Sequence, residues 1–303
     1  MTDFTDFQRK ISSLLPDFSL SFDEPMAKHT SFRIGGPAEV MAFPNGAEQL
    51  RQLLKVSNQL DIKPAILGAG TNVLAPDDGM KGLVICLKDG LSRVELLDET
   101  HIRVDAGVSM TKAAVFAANH GLSGLEFAHG IPGSVGGGVY MNAGAYGGEI
   151  KDVCVAVEVM TMDGALHTYT AEQMDFSYRH SRLEDEGGIV VSATFALQPQ
   201  SPQCIKDRMQ ELASKRKASQ PLDKPSAGSA FKRPASGYAA ALIDGAGLKG
   251  YQVGGAAISQ KHAGFAVNLG DATAEDVKKL LAQVSQIVYE KNGIRLEPEV
   301  RIW

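Results

Sequence analysis

The chain has 303 residues, 44% of them hydrophobic and 21% charged, which is typical of a folded protein with a sizeable core. This length exceeds one small domain and favours two or three. The formal net charge of -5 argues against a general nucleic-acid binder, which is usually basic, and the composition excludes a disordered chain.

The N-terminal segment has neither the charge nor the hydropathy of a leader peptide. It begins "MTDFTDFQRK", with acidic residues where a secretory signal has basic ones, and no long apolar run follows. Nowhere does the chain approach the roughly 18 consecutive apolar residues that a membrane-spanning helix needs. We therefore expect a cytoplasmic protein without a membrane partner.

Helix and strand patterns are interleaved in the first part of the chain. A helix is predicted over 46–60, where Leu50, Leu53 and Leu54 share one face. The further predicted elements are strands at 63–68, 82–87 and 101–107 and a helix over 110–121. This order favours an α/β or α+β fold.

Strand patterns dominate from Val153 onward. The predicted strands lie at 153–164, 165–170 and 188–197. A run rich in Pro and Gln at 198–203 then breaks the pattern ahead of a predicted helix over 204–217, so we place a domain boundary there.

The last part of the chain contains one strongly amphipathic helix, predicted over 273–293. Thr273 and Asp276 have the spacing of a capping box, and Gly293 ends the helix. The final segment, "IRLEPEVRIW" at 294–303, is predicted to be strand-like.

The cysteines and histidines predict neither a disulfide framework nor a metal site. Cys86, Cys154 and Cys204 are odd in number and far apart, and no CxxC pattern occurs. We expect Cys86 and Cys154 to be buried in strands. The histidines show no metal-binding spacing, so we expect no metal.

The sequence "GAGLKG" at 245–250 matches the GxGxxG pattern of dinucleotide-binding folds. In a Rossmann unit this pattern follows a strand and opens a helix. Here "YAAALIDGAG" is predicted to end a helix, and "YQVGGAAIS" is predicted to be a strand, so the order is reversed. The chain also lacks a P-loop and a GxSxG nucleophile elbow, which removes the main support for a kinase or a hydrolase.

Two other glycine-rich segments are candidates for ligand binding. "GAGTNVL" at 68–74 follows a predicted strand and is either a backbone nest for phosphate or a tight turn, and the residues alone favour neither. Eight glycines fall between Gly130 and Gly148, more than a turn needs. Close approach to a large flat or phosphorylated ligand explains that density, with a dinucleotide cofactor as the natural candidate.

A cluster of cations lies between Lys215 and Arg233, within a chain that is acidic overall. It is either a local anion site or a solvated helix end. From the residues alone we prefer the helix end, because cations are favoured near a helix C-terminus.

Several long motifs together identify a family. In chain order they are "HTSFRIGGPAEV", "GAGTNVL", "GIPGSVGGGVYMNAGAYG", "YRHS", "PSAGSAFKRP" and "LEPEVRIW". Their order resembles that of the UDP-N-acetylenolpyruvoylglucosamine reductase (MurB) family, over nearly the whole chain from about His29 to Trp303. The chain is similar to the shorter type, which lacks a tyrosine-bearing loop insertion.

The resemblance implies an α+β fold. It would consist of a vanillyl-alcohol-oxidase-type (PCMH-type) FAD-binding module of two α+β subdomains, followed by a C-terminal α+β substrate-binding domain. We divide the chain accordingly into residues 1–95, 96–200 and 201–303, and we expect a monomer.

The resemblance also implies FAD, bound without a covalent bond, although His129 stays an alternative attachment point. The implied cofactor-binding residues lie in three glycine-rich segments: Gly68, Ala69, Gly70, Thr71, Asn72; Gly130, Ile131, Pro132, Gly133, Ser134, Gly136, Gly137; and Asn142, Ala143, Gly144.

The implied reaction reduces UDP-N-acetylglucosamine enolpyruvate to UDP-N-acetylmuramate for peptidoglycan synthesis. NADPH reduces FAD, hydride passes from the flavin N5 to C3 of the substrate, and C2 takes a proton. Ser229 corresponds to the proton donor, and Arg179 and Glu299 correspond to the groups that polarise the substrate carboxylate. Glu297 is the alternative to Glu299, since both would share a face of a strand.

Arg216, Gln220 and Lys232 are the implied ligands of the UDP diphosphate, and Arg233 stands where many family members carry asparagine. Without the resemblance, Ser229 would be interpreted as a turn serine, and Arg179 and Glu299 as partners in surface ion pairs. Two other functions stay open: an FAD-dependent oxidase or dehydrogenase acting on an alcohol or sugar, and a catalytically silent protein that binds a nucleotide sugar or flavin.

Overall fold

The computed structural model describes residues 4–18, 20–88 and 90–303. The first three residues of the N-terminal segment, on which the expectation of no leader depends in part, lie outside this range. The helices are α1 (Thr5–Leu14), α2 (Ala47–Gln59), α3 (Met110–Asn119), α4 (Val135–Tyr140), α5 (Leu183–Glu186), α6 (Pro202–Ser219), α7 (Ala239–Gly245) and α8 (Ala274–Asn292). Among the helices of the described ranges, none combines the length and hydropathy that a bilayer crossing requires.

The strands are short and spread along the chain. They are β1 (Leu20–Pro25), β2 (Pro37–Ala42), β3 (Ala65–Leu67), β4 (Val73–Leu74), β5 (Met80–Cys86), β6 (Val94–Leu96), β7 (His101–Asp105), β8 (Leu122–Ser123), β9 (Gly144–Ala145), β10 (Gly148–Glu149), β11 (Cys154–Met160), β12 (Leu166–Thr170), β13 (Ile189–Ala196), β14 (Gln198–Pro199), β15 (Gln252–Val253), β16 (Ala256–Ile258), β17 (Ala266–Asn268) and β18 (Arg301–Ile302).

The chain divides into two compact units, each with its own hydrophobic core. Unit 1 comprises Met1–Phe22, Val40–Ala69 and Gly82–Ser214, and unit 2 comprises Asp23–Glu39, Gly70–Lys81 and Lys215–Trp303. The core of unit 1 includes Leu53 and Val157, and that of unit 2 includes Leu280. The finer division into domains at residues 95 and 200 stays a prediction.

Unit 1 contains an antiparallel sheet with the strand order β12-β11-β13-β7-β6. The predicted strands at 153–164, 165–170 and 188–197 are confirmed as β11, β12 and β13. In the central pair, Val157 lies opposite Ala193, and both are buried. The β11–β12 connection is a tight turn in which Gly164 has a φ of +86°, a conformation that glycine adopts without strain.

A second sheet has the strand order β1-β2-β5-β3, with β3 and β5 parallel. The unit boundaries fall inside β1, β2 and β5. The predicted helix over 46–60 is confirmed as α2, and Leu50, Leu53 and Leu54 are buried as their spacing requires. Cys86, at the end of β5, and Cys154, at the start of β11, are buried in strands as expected.

In unit 2 the helix α8 confirms the predicted capping box. The Thr273 hydroxyl accepts from the Asp276 amide, the Asp276 carboxylate accepts from the Thr273 amide, and Gly293 ends the helix in the left-handed conformation. Asp77 adds a further cap, since its carboxylate accepts from the amides of Ala274 and Glu275.

Two strand predictions in unit 2 were wrong in extent. The segment "YQVGGAAIS" forms two strands, β15 and β16, because Gly254 at a φ of +54° turns the chain between them. Of the C-terminal segment, only Arg301–Ile302 is a strand, and Pro298 forms an isolated antiparallel bridge with Phe231. The order of α7 followed by a hairpin confirms that "GAGLKG" is not a Rossmann fingerprint.

Candidate functional site

Within unit 1, two of the glycine-rich segments meet. Gly68 follows β3, and a Cβ placed on it would lie 3.1 Å from the Ser134 hydroxyl oxygen. Ser134 is buried and caps α4, with its hydroxyl 3.5 Å from the Gly137 amide. The structure therefore brings together parts of two sequence motifs that are about sixty positions apart.

The Gly130–Gly137 loop is held by hydrogen bonds that its backbone amides donate to neighbouring elements. The Gly130 amide donates to the Thr111 hydroxyl at 3.1 Å, and the Val135 and Gly136 amides each donate to a backbone carbonyl at 2.8 Å. Gly133 has a φ of +132°, which L side chains rarely adopt. The loop is thus rigidly positioned, and the amides of Val135 and Gly136 are already used inside the protein.

Several of these glycines are needed because other parts of the protein pack closely against their backbone. A Cβ on Gly136 would lie 2.8 Å from the Ala106 Cβ, one on Gly138 would lie 2.7 Å from the Met110 sulfur, and one on Gly144 would lie 2.7 Å from the Glu149 Cβ. Close packing of this kind has no signature in the local sequence, so a high density of glycine does not by itself indicate a ligand.

Gly137 is different, because it is exposed. Among the described residues, a Cβ on Gly137 would meet the Ser134 hydroxyl alone, at 3.7 Å, which is an ordinary van der Waals contact. The protein itself would accommodate a side chain at position 137. Because glycine has none, another group can lie against the backbone there. The loop therefore fits a bound cofactor of the FAD type.

Arg179 lies in the same unit, on a tight turn. Its backbone φ is +56°, its guanidinium donates to the Gly144 carbonyl at 3.5 Å, and it lies 5.0 Å from the ring centre of Tyr178. The structure brings Arg179 next to Gly144 in the third predicted cofactor segment.

Ser229 and Glu299 are brought together in unit 2. The Glu299 amide donates to the carbonyl of Ala230 at 3.0 Å, and the Asn72 side-chain amide donates to the Glu299 carbonyl at 3.2 Å. Ser229 itself is exposed and bridges to Phe265. Three residues predicted from separate motifs, Asn72, Ser229 and Glu299, therefore lie close together.

Glu297 and Glu299 differ in environment. Glu297 forms an ion pair with Lys232, and its side chain is 69% exposed, whereas Glu299 is half-buried. A carboxyl group must lie away from bulk water to stay protonated and donate a hydrogen bond, and Glu299 meets that condition better. The geometry therefore supports the choice of Glu299.

The predicted diphosphate ligands also belong to unit 2. Arg216 is buried in the last turn of α6 and its guanidinium donates to the Gln220 side chain at 3.4 Å. Arg216 and Lys217 make the last turn of α6 basic, as expected of a helix end, but Arg216 is buried and not solvated as that interpretation expected. Arg233 lies 4.2 Å from the ring centre of the exposed Tyr238, an aromatic contact that sequence reasoning missed.

Two surface cavities involve none of these predicted residues. One of about 530 Å³ lies in unit 1 beside Tyr146 and Cys204, and one of about 830 Å³ lies in unit 2 beside α8 and Ile302. In the described part of the chain, no group of three or more His, Cys, Asp or Glu side chains is arranged to hold a metal ion.

Comparison with known proteins first defines the class. Residues 38–170 match the FAD binding domain family, and residues 220–303 match the C-terminal domain of UDP-N-acetylenolpyruvoylglucosamine reductase. A solved Physcomitrella patens BBE-like 1 structure shares the fold with a TM-score of 0.50, at 16% identity over 64% of this chain and 45% of its own. The predicted α+β fold with an FAD-binding module of the vanillyl-alcohol-oxidase type is confirmed, and it defines the class of FAD-containing oxidoreductases.

More similar proteins define the family. The UDP-N-acetylenolpyruvoylglucosamine reductase of Agathobacter rectalis is 47% identical over 98% of both chains, and that of Streptococcus pneumoniae (strain JJA) is 43% identical over 97% of both. The crystal structure of the Thermus caldophilus reductase superimposes with a TM-score of 0.80, at 38% identity, over 94% of this chain and 98% of its own. The chain belongs to the UDP-N-acetylenolpyruvoylglucosamine reductase family, which confirms the resemblance.

Proposed function

We propose that this protein reduces UDP-N-acetylglucosamine enolpyruvate to UDP-N-acetylmuramate, with NADPH as the electron donor, as a cytoplasmic step in the synthesis of peptidoglycan precursors. The observation that supports the proposal is the backbone hydrogen bond from Glu299 to Ala230, which brings the segment of the exposed Ser229 next to that of the half-buried Glu299. An FAD-dependent oxidase of alcohols or sugars does not need a serine as proton donor together with a glutamate that binds a substrate carboxylate.

The glycine-rich loops of unit 1 would hold FAD without a covalent bond. The exposed backbone at Gly137 and the adjoining Gly68 segment support this assignment. Bound FAD would supply the hydride that adds to C3 of the enolpyruvyl group, with NADPH as the source of its electrons. Mass spectrometry of the denatured protein would detect any covalent attachment at His129.

Arg179 and Glu299 would bind the carboxylate of the enolpyruvyl group. A planar guanidinium donates two parallel hydrogen bonds to a carboxylate, and a protonated glutamic acid adds a third. Both interactions strengthen as negative charge develops on the carboxylate when hydride arrives at C3. They therefore stabilise the transition state more than the bound substrate.

Ser229 would supply the proton. After hydride addition at C3 the electron pair of the double bond resides on C2 and its carboxylate, and the Ser229 hydroxyl donates its proton to C2. A serine hydroxyl is a weak acid, but an enolate is a strong enough base to accept from it. A proton from solvent then restores the hydroxyl.

Arg216, Gln220 and Lys232 would bind the substrate diphosphate. Arg216 offers a guanidinium held by Gln220, and Lys232 offers an ammonium group paired with Glu297 in the free protein. Cationic donors of this kind are the usual partners of phosphate oxygens. Binding energy from this remote part of the substrate would orient its enolpyruvyl group.

An anaerobic visible spectrum tests the proposal. We expect the yellow protein to bleach when NADPH is added and to recover its colour when UDP-N-acetylglucosamine enolpyruvate follows. Bleaching without recovery would indicate a different acceptor, as expected of an oxidase or dehydrogenase. A protein that cannot be loaded with FAD would overturn the proposal.

The Ser229→Ala variant tests the assigned proton donor. We expect NADPH to bleach it as rapidly as the wild type, whereas reoxidation by the substrate slows by about 10²-fold or more, the usual contribution of a positioned acid. Ser236→Ala, the same change at another exposed serine of unit 2, serves as the control and keeps both rates. Equal reoxidation rates in the two variants would contradict the assignment.

A further inference from the structure

Asn142 occupies an unusual position in the glycine-rich segment of unit 1. It is fully buried, and its φ of +42° lies in the left-handed region, which asparagine tolerates better than most residues. The sequence predicted a contact between this residue and the cofactor. Its side chain, however, is engaged inside the protein.

The Asn142 side chain uses all its hydrogen-bonding groups within unit 1. Its amide nitrogen donates to the Glu149 carboxylate at 2.8 Å and to the Ser177 carbonyl at 2.9 Å, and its oxygen accepts from the Lys151 amide at 2.9 Å. A side-chain amide has two donor hydrogens and one acceptor oxygen, so both donors and the oxygen have a partner inside the protein. Such a fully satisfied buried polar group makes its neighbourhood rigid.

The Ser177 contact reaches the turn that carries Arg179. Ser177 and His180 exchange backbone hydrogen bonds of 3.1 and 3.3 Å, which leaves Tyr178 and Arg179 at the tip of a two-residue turn. Asn142 therefore holds the base of this turn through the Ser177 carbonyl, 35 positions along the chain.

The far side of the turn is attached to the same segment. Ser181 is fully buried, and its hydroxyl donates to the Tyr140 carbonyl at 2.8 Å. At the tip, the Arg179 guanidinium donates to the Gly144 carbonyl at 3.5 Å. The turn is thus tied to residues 140–144 at its beginning, its tip and its end.

We propose that Asn142 is a positioning residue for Arg179, whose orientation it determines by tying the Ser177–Ser181 turn to the glycine-rich segment. The inference rests on the proposed function, in which Arg179 binds the substrate carboxylate. A misplacement of a binding group by about 1 Å costs up to roughly 10²-fold in rate, so loosening this turn has a measurable effect.

Asn142→Asp is the most informative variant. Aspartate has nearly the same shape, tolerates the left-handed backbone and keeps the acceptor for the Lys151 amide. It replaces the donating amide by a carboxylate that faces the Glu149 carboxylate and the Ser177 carbonyl. The change therefore removes the tie to the turn without leaving a cavity.

The expected result has three parts. Reoxidation of the FAD-loaded, NADPH-reduced variant by UDP-N-acetylglucosamine enolpyruvate slows by about 10-fold to 10²-fold. The dissociation constant of the substrate for the oxidised protein, measured by calorimetry, increases. Hydrogen exchange of the Ser177 and His180 amides becomes faster, which reports the loosened turn independently of activity.

A double-variant comparison separates positioning from general stability. In an Arg179→Ala background there is no guanidinium for Asn142→Asp to misplace. The losses of reoxidation rate from the two substitutions therefore do not add. The control is Asn58→Asp, which makes the same chemical change at a side chain that donates to the Met162 carbonyl elsewhere in unit 1. We expect this control to match the wild type.

Two outcomes would overturn the inference while leaving the proposed function intact. The first is reoxidation and amide exchange at wild-type rates in Asn142→Asp. The second is an equal loss of reoxidation rate from Asn142→Asp in the wild-type and Arg179→Ala backgrounds. A wild-type protein that the substrate fails to reoxidise would overturn both together. If Asn142→Asp does not fold, Ser181→Ala removes the other tie, and unchanged reoxidation and exchange there would equally count against the inference.

Discussion

Three single residues with a left-handed backbone lie in the last glycine-rich segment of unit 1 and on the turn that carries Arg179. Asn142, Tyr146 and Arg179 have φ values of +42°, +54° and +56°. This conformation costs an L-residue about 1–2 kcal/mol, and it persists only where surrounding contacts determine it. At Asn142 those contacts are the three side-chain hydrogen bonds, which an apolar side chain would not form.

The thiols differ sharply in accessibility, and this gives a prediction. Cys204 is exposed, whereas Cys86 and Cys154 are buried, and burial raises the pKa of the Cys154 thiol to about 12. Only the thiolate reacts rapidly. We expect a disulfide reagent such as 5,5′-dithiobis(2-nitrobenzoate) to modify one thiol per native chain and all three after unfolding.

The control for that measurement is Cys204→Ser, which should abolish labelling of the native protein. Rapid modification of two thiols under native conditions would contradict the burial of Cys86 and Cys154.

Among the elements, α8 shows how much a local pattern determines. The capping box, the apolar stripe and the terminal glycine were all evident in the sequence, and all three are confirmed. The glycine-rich helix α4 was not predicted, because glycine disfavours helices. Its position depends on the capping Ser134 and on the close approach of Ala106 and Met110, which leave no room for side chains.

The capping box of α8 gives a second prediction. Thr273→Ala removes the acceptor for the Asp276 amide, so we expect the free energy of unfolding to fall by about 1 kcal/mol. Thr273→Ser keeps the hydroxyl and is the matched control. Denaturant titration of both variants measures the difference, and equal midpoints would show that the hydroxyl contributes nothing.

At the scale of the whole molecule, folding stability depends on ionised carboxylates. Burial of Glu158 acts to raise its pKa, but hydrogen bonds from Ser192 and Arg103 outweigh it, so the pKa lies below its ordinary value of 4.5. Hydrogen bonds from the Thr100 backbone and the His101 side chain hold the pKa of Asp98 at about 2. Both groups favour the folded protein in their charged form.

Acid unfolding follows from these shifts. A carboxyl group with a lowered folded pKa contributes its full stability above its unfolded pKa, and this stability is lost as the pH falls through the folded value. We therefore expect the free energy of unfolding to decrease as the pH falls below about 4.5. Glu158→Gln should reduce the slope in this range, and an unchanged slope would contradict the role given to Glu158.

The class of protein could be predicted from the sequence, because long motifs identify the family and its FAD-binding fold. The local partners at the site could not. The family resemblance already favoured Glu299 over Glu297, but the structural support for it comes from the ion pair of Glu297 with Lys232, which lies 65 positions away along the chain. The open space at Gly137 likewise depends on which elements approach it.

By itself, the sequence determined the helices with a clear apolar period, the caps that begin and end α8, and the family. The helices and caps depend on neighbours within a few residues, so a local pattern records them, and the family follows from long motifs that can be compared directly. The tertiary structure alone decided that Asn142 reaches Ser177, that β18 pairs with β4, and which glycines face protein. These contacts join segments that are far apart in the chain. Which groups form hydrogen bonds with each other there depends on how the backbone folds, and no local pattern indicates it.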